Sequence, residues 1–511
     1  MSASVLVDMI PELILLGTAL VVVLGGLVLE PNRFGLVPGG SGRTRAGAEP
    51  SSQTARVFAS GAGLVGTVAS LISLYFQVSR TGSEHDLLHG TFVLDHYALY
   101  FKAILLVFAL VTLLLAYRFS DHFRPNQSEF IGLVLLATVG GMFMASAREM
   151  IELYVALETL SISLYVMVAF NKRERLSSEA GFKYLVVGAA SSAVLLYGLA
   201  ILYGLTGRTD LNAVSQVISS GHTSNPALVL AVIFIIGGFS FKIAAVPFHQ
   251  WVPDVYQGSP TPVTAFISVS SKAAGYALLI RVLTSALGPM SHQWQIYLAV
   301  IAVVTMTVGN VSALNQTRVK RLLGYSSIAH AGYILTGLVA MADPNTSRIA
   351  LGAVLFYILV YGLTNLAGFG AVQAAEEAVG SDDLSAFAGF GHRAGGVSLV
   401  LALAMLSLTG IPPLVGFLAK FFIFLAAVQA GYSWLVLVAV ANSALSAVYY
   451  LRVVRTLYLE VEPAGGHRPV AVGPAMWTAL GVGVISILPL AVFANGFVTG
   501  AQQAASAIFS H

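Results

Sequence analysis

The chain has 511 residues, 57% of them hydrophobic with Gly left out and a further 50 Gly; soluble domains reach only about 45–50% with Gly counted in. Charged residues make up 10% and the net charge is +3, too small to point to nucleic acid. There is no Cys, which excludes disulfides, thiolate-held iron–sulfur clusters and cysteine catalysis. The bilayer is the solvent such a composition calls for.

The N-terminus, MSASVLVDMIPELILL, carries Asp8 and Glu12 but no basic residue, so it does not read as a cleavable signal. From there, runs long enough to cross a bilayer, about 20 residues as helix, recur throughout. They predict spans at 10–29, 57–78, 97–117, 130–147, 150–170, 181–204, 227–247, 262–285, 294–315, 319–341, 349–375, 396–430, 433–456 and 473–497, fourteen in all. The 396–430 run is too long for one straight helix and contains Gly410-Ile411-Pro412-Pro413, so it reads as two half-helices. Irregular backbone at membrane depth needs protein or a water cavity around it. The polar stretches are 31–55, 80–95 and 376–394; the first is rich in Gly, Pro and Ser and reads as a flexible cytoplasmic loop.

Lys and Arg orient the set. Loops numbered odd from the first connection hold sixteen of them, and even loops hold five, including Arg148, Arg281 and Arg348. The excess marks the cytoplasmic side and leaves both termini outside. The remaining basic residues are Lys102, Lys183, Lys242, Lys272 and Lys420, all lysines and all inside apolar runs.

An ionisable group in a span costs about 2.5 kcal/mol or more at the bilayer centre, so each is a functional candidate. Glu158 lies mid-span in LYVALETLSISLYV; the plain alternative is a helix-packing hydrogen bond. Glu152 is six residues earlier, about 120° around the helix, and reaches the outer surface on the plain reading. Lys183, in GFKYLVVGAASS, either snorkels to the interface or pairs with an acid such as Glu158. Lys242 precedes Pro247 in GGFSFKIAAVPFHQW. A proline breaks a helix, so free carbonyls there are expected to hold the ammonium, and the gap to admit water. Lys420 likewise lies beside a break, in SLTGIPPLVGFLAKFF, and Lys272 sits among Ser268, Ser270 and Ser271. His330, in RVKRLLGYSSIAHAGYILTG, shares a helix face with Ser326 and Tyr333. Lys102 lies near a span end and reads as snorkelling. No second His or Cys stands at ligand spacing from His249 and Asp254, so no metal site is read there. No phosphate-cradling GxxxxGK(S/T) and no Rossmann pattern occurs. A row of lysines with one or two glutamates at mid-depth is physically a proton relay, because a buried lysine, unlike arginine, can give up its proton.

At PFHQWVPDVYQGSPTPVTAFISVSSKAAGYALLIRV the sequence resembles the antiporter-like subunits of respiratory complex I, most of all subunit N, subunit 2 in mitochondrial naming. LETLSISLYV, GFSFKIAAVPFHQW, RVKRLLGYSSIAHAGY and LTGIPPLVGFLAKFF carry the same resemblance. It implies an all-α polytopic membrane protein of about 14 transmembrane helices. Two inverted five-helix repeats, spans 4–8 and 9–13, would each have one broken helix, span 7 and span 12. The expected division is helices 1–3 in 1–125, a first repeat in 126–290, a second in 291–460 and helix 14 in 461–511. The resemblance makes Glu158 the fifth-span glutamate, Lys183 the sixth-span lysine beside it and Lys242 the lysine of the broken seventh span. Lys272 becomes the eighth-span lysine linking the halves, and Lys420 the twelfth-span outlet. His330 joins them from its polar stripe. Lys102 and Glu152 match nothing firm in the family pattern.

The expected function is therefore a proton-translocating subunit of a bacterial NADH:quinone oxidoreductase in the cytoplasmic membrane, with both termini periplasmic. No cofactor or metal is expected in this chain; NADH, FMN, iron–sulfur clusters and quinone would belong to partner subunits. The expected partners are an adjacent antiporter-like subunit, small K-, J- and A-type subunits, and lipids, with no nucleic acid. The alternative is a subunit of a cation/proton antiporter, or of a ferredoxin-linked or hydrogenase-type relative of complex I. A third reading, a purely structural spacer, requires all five lysines to tolerate Met.

Overall fold

The structure is a computed structural model describing residues 3–29, 50–80, 85–119, 126–221, 225–462, 470 and 472–509. Helix dominates, as it must where no water is available to satisfy the backbone. Among the described residues, thirteen helices are long and apolar enough to cross a membrane. In chain order, spans 1–6 are Ile10–Leu29, Pro50–Arg80, His96–Phe119, Gln127–Ser146, Met150–Val168 and Arg175–Thr206. Span 7 is Pro226–Ile243, followed after a break by the short helix Trp251–Gly258. Span 8 covers Thr261–Ala286, and spans 9–11 are Ser291–Ala313, Val319–Met341 and Ser347–Val379. Two fifteen-residue halves, Gly395–Thr409 and Val415–Gln429, together make span 12. Span 13 is Ser433–Leu459 and span 14 is Pro474–Val492. Counting the halves as one gives the fourteen spans expected from the sequence.

Spans 4–8 and 9–13 each have their break at the fourth helix. Five is odd, so the second set enters the membrane from the side opposite to the first, and the two repeats are inverted. The interior belongs to spans 8, 10 and 11, whose apolar windows are 100%, 94% and 94% buried, against 22% for span 1. Polar side chains within those windows are thus largely buried inside the protein. The outer helices present bare Leu, Val and Phe, as a lipid-facing or partner-facing surface requires.

Both breaks are built alike. Span 7 ends where Ala244 turns left-handed, with φ 63°, and a cis Val246-Pro247 bond follows. The first half of span 12 ends at Gly410, with φ 88°, ahead of a cis Pro412-Pro413 bond. Gly adopts that φ without the Cβ clash an L side chain meets. Freed backbone groups are re-satisfied locally: the Val246 amide donates to Thr305 Oγ1 at 3.0 Å, and Trp251 Nε1 to the Phe241 carbonyl at 3.2 Å. The span 7 helix therefore stops four residues earlier than Pro247 suggested.

Other elements differ from the sequence reading. Span 2 begins at Pro50, so residues 50–55 of the expected 31–55 loop are helical; the rest of that loop lies outside the described residues. The polar stretch 80–95 contains an antiparallel hairpin, His85–Leu87 with Phe92–Leu94. A nine-residue helix, Leu211–Ser219, stands between spans 6 and 7, capped by Asp210 Oδ1 accepting from the Ala213 amide at 2.7 Å. It is too short to show as a span and too amphipathic to show as a loop. After span 14, Ala494–Ile508 forms a further helix, on which Gln502 covers Gly352 of span 11.

Candidate functional site

In the first repeat, Glu158 and Ser161 stand three residues apart on span 5, close to one helix face. Glu158 accepts a hydrogen bond from Ser192 of span 6, and Ser192 Oγ lies 3.2 Å from the Tyr154 hydroxyl. Lys242 Nζ donates to Ser161 Oγ at 2.9 Å. A small cavity, about 10 Å³ or room for one water, lies beside Lys242 and is lined also by Ser161, Tyr165 and Ser192. Lys242 is thus buried near Glu158 with hydroxyls between them. The carbonyls of the break do not hold it, contrary to expectation: Phe241 O and Ser240 O are taken by amides, Phe241 O also by the Trp251 indole.

Lys183 is corrected more strongly. Its ammonium pairs with Glu179 at 2.8 Å and Asp254 at 2.7 Å, and its side chain is 42% exposed. Ser192, which does meet Glu158, is nine residues further along span 6. Nine residues are about two and a half turns and ~13 Å of rise, so Lys183 points away from Glu158 and lies at another depth. Asp254 also takes Arg321 of span 10 at 2.6 Å, tying span 6, the short helix after the break and span 10 together.

At the centre, Lys272 Nζ donates to the Ser327 carbonyl at 2.5 Å and lies 5.9 Å from the Tyr361 ring. Tyr361 donates to Ser327 Oγ at 2.7 Å, and the Tyr256 hydroxyl is 3.1 Å from the same oxygen. Asn365 donates to both Ser268 Oγ, at 2.8 Å, and the Tyr361 hydroxyl, at 3.2 Å. Span 7 reaches this region over Gly275, where an added Cβ would stand 3.0 Å from Lys242 Cγ. Any side chain there would make the Lys242 stem give by a few tenths of an ångström.

In the second repeat, His330 Nδ1 is 2.7 Å from the Tyr357 hydroxyl and Nε2 is 3.1 Å from that of Tyr450. Tyr450 in turn bonds Ser326, the neighbour of Ser327. The predicted stripe of Ser326, His330 and Tyr333 is therefore in use, Tyr333 accepting from Asn310 at 3.0 Å. Lys420 Nζ donates to the Thr409 carbonyl at 2.9 Å and to Ser443 Oγ at 2.8 Å, and sits 4.9 Å from the Tyr333 ring. Here the helix break does hold the lysine, as expected. A second small cavity joins His330, Tyr357 and Thr364 to Ser407 and Ala419, beside Lys420.

Two basic residues are placed differently from their sequence reading. Lys102 does not snorkel: it is 1% exposed, and its Nζ lies 2.7 Å from Glu12 Oε1 of span 1, also buried. Arg281 is not a loop residue. It is buried in span 8, forked onto Asp95 at 3.1 Å to each oxygen, and bonded to the Ala145 carbonyl at 3.0 Å. Glu152 lies next to Glu149 at the start of span 5; partial burial and that neighbour push the Glu149 carboxyl up.

The residues missed by sequence reasoning are mostly hydroxyls: Ser192, Tyr256, Ser327, Tyr357, Tyr361 and Tyr450, with Asn365. One signal was legible, since Tyr357, Tyr361 and Asn365 recur every four residues in an otherwise apolar helix.

A larger cavity, about 790 Å³, opens on the side of the basic loops and is lined by Glu174, Arg318, Lys320 and Glu376 among others. Thr261 Oγ1 donates to Glu376 there at 2.5 Å, and Ser259 Oγ is 2.7 Å from Thr264 Oγ1. Thr264, Ser268 and Lys272 follow at four-residue steps along span 8.

Residues 147–446 match the family described as NADH:quinone oxidoreductase/Mrp antiporter, TM. The chain belongs to that family. Among relatives of this antiporter-like chain, NAD(P)H-quinone oxidoreductase subunit 2 of Thermosynechococcus vestitus is 44% identical over 422 residues, 82% of this chain and 79% of the relative. NADH-quinone oxidoreductase subunit N of Moorella thermoacetica is 40% identical over 421 residues, 82% of this chain and 87% of the relative. A chain of respiratory complex I from Thermus thermophilus with bound aureothin superposes with a TM-score of 0.74 and 31% identity, over 95% of this chain and 98% of that one. The antiporter-like family of multi-pass complex I subunits is therefore the one this chain shares, as its motifs indicated.

Proposed function

We propose that this chain is the proton-translocating, antiporter-like subunit of a bacterial NADH:quinone oxidoreductase, moving protons between Glu158, Lys242, Lys272, His330 and Lys420. The observation that supports the reading is that these groups are held inside the two repeats by hydroxyl partners, with small cavities beside Lys242 and His330. Protons enter from the cavity at Glu376 along Thr261, Thr264 and Ser268 to Lys272. They leave past Lys420. Lysine suits such a line because it changes charge on giving up its proton, whereas arginine does not. Lys183 has no place in it; its ion pairs tie helices together.

The driving step lies in partner subunits, which hold NADH, FMN, iron–sulfur clusters and quinone. An adjacent antiporter-like subunit and the small membrane subunits pack against the outer helices. The membrane is the bacterial cytoplasmic membrane, and the basic loops face the cytoplasm. The test is Lys242→Ala in the assembled complex, with quinone reduction and proton pumping measured together. Loss of pumping with intact assembly is expected; normal pumping sinks the relay.

A further inference from the structure

Span 8 is not one helix. Its segment Lys272–Arg281 is ordinary α-helix, but a π-turn precedes it at Ile267–Ser271 and another follows at Val282–Ala286. A π-turn inserted in a helix carries one extra residue and shifts the helical phase, and such turns gather at functional sites. The segment is thus set off from the rest of its span at both ends.

Within it, each face meets a different neighbour. Lys272 and Tyr276 face span 10, bonding the Ser327 and Ala331 carbonyls. Gly275 faces Lys242 and Ile243 of span 7, and Ala274 faces Gly141 of span 4. Arg281 lies nine residues after Lys272, about half a turn away in phase, and points at Asp95 and the end of span 4. Its guanidinium engages both Asp95 oxygens, donates to Ala145 O, and stacks 4.9 Å from the Tyr97 ring. Asp95 is itself anchored: its Oδ1 accepts from the Ala98 amide at 2.6 Å at the start of span 3. Tyr97 of the same turn donates to Ala277 O at 2.8 Å.

We infer that Asp95 and Arg281 are positioning residues that fix the rotation of this segment, and so direct Lys272 at Ser327 and keep Gly275 against Lys242. A planar fork held at both oxygens specifies an orientation, which a single-point contact would not. The pair therefore acts on proton transfer between the two lysines from outside the line itself. This rests on the relay reading only for its consequence, since the rotational setting can be measured without turnover.

The chain has no Cys, so a pair of introduced cysteines is unambiguous. A Cβ at residue 275 would lie 3.3 Å from Lys242 Cβ, close to the about 3.5–4.5 Å of a disulfide. Lys242→Cys with Gly275→Cys is oxidised mildly in native membranes holding the complex, and the yield of the cross-linked chain is read by mass. A high yield is expected with Asp95 and Arg281 intact. Adding Asp95→Asn together with Arg281→Leu leaves no lone buried charge, so the complex still assembles, and the cross-link yield should fall several-fold. An unchanged yield in that background overturns the proposal, because a merely stabilising ion pair would leave the geometry as it was. The relay is tested separately, by pumping of Lys272→Met in the parent chain, so either idea can fail alone.

Discussion

Removing Lys102 or Glu12 singly should damage the protein far more than removing both. Each side chain is 2% exposed, and their charged atoms stand 2.7 Å apart. The contact is ionic rather than a well-aligned hydrogen bond, and Glu12 Oε2 has no hydrogen-bond partner among the described residues. Lys102→Met strands the carboxylate in a buried contact between spans 1 and 3, and Glu12→Gln strands the ammonium. Breaking a buried pair this way costs about 3–5 kcal/mol, whereas replacing both partners by well-packed neutral groups ranges from neutral to a gain of about 1–4. At about 1.4 kcal/mol per tenfold, each single change shifts the folding equilibrium by roughly two to four powers of ten. The double variant Glu12→Leu with Lys102→Met should return close to the parent. The assay is the midpoint of thermal inactivation of the complex in membranes, with assembled chain quantified on native gels. Single variants as stable as the parent, or a double variant as poor as the two singles combined, would refute the claim that this is a buried, charge-compensated pair.

Three further outcomes are expected. Gly275→Ala forces the Lys242 stem to give by a few tenths of an ångström; pumping should fall several-fold at unchanged assembly, and an unaffected rate would mean the close approach is incidental. Tyr361→Phe deletes the hydrogen bond to Ser327 and leaves Asn365 short of one acceptor. The stability change should stay near the roughly 0.5–1.5 kcal/mol of one hydrogen bond, while proton pumping falls by far more, which pairing thermal inactivation with pumping would reveal. Glu376→Gln, at the cavity mouth, should slow proton uptake and quinone reduction together without lowering assembly; full activity would place the entrance elsewhere.

Depth and periodicity were legible in the sequence, but the choice of neighbour was not. Span positions follow from apolar length, and the break in span 12 follows from Gly410 and the two prolines. The lysines at the breaks were found because charge in hydrocarbon is costly. Lys183 was misplaced because its partner had to be chosen among acids on other helices, and a half-turn of phase turns it from Glu158 to Asp254. Glu12 and Lys102 are 90 residues apart, and nothing local in either span announces the other. Arg281 reads as a loop residue because its counter-charge, Asp95, lies at the start of a different helix. The connecting hydroxyls were least visible of all. Ser and Tyr are unremarkable in a membrane helix, and only the packing of spans 8, 10 and 11 shows that they touch.

Those hydroxyls carry a consequence for timing. Each one gives a proton on one side and receives on the other, so a row of them has a polarity. Tyr361 donates to Ser327 Oγ as drawn. When a proton hops along such a row, every O–H in it is left pointing the other way. The row is then blocked until each hydroxyl swings back. On the proposed relay, passage of one proton would reset nothing by itself, and the chain would rest between charges. If protons pass as proposed, the line would behave less like a wire than like a turnstile, with a dead time set by the slowest rotating Tyr or Ser.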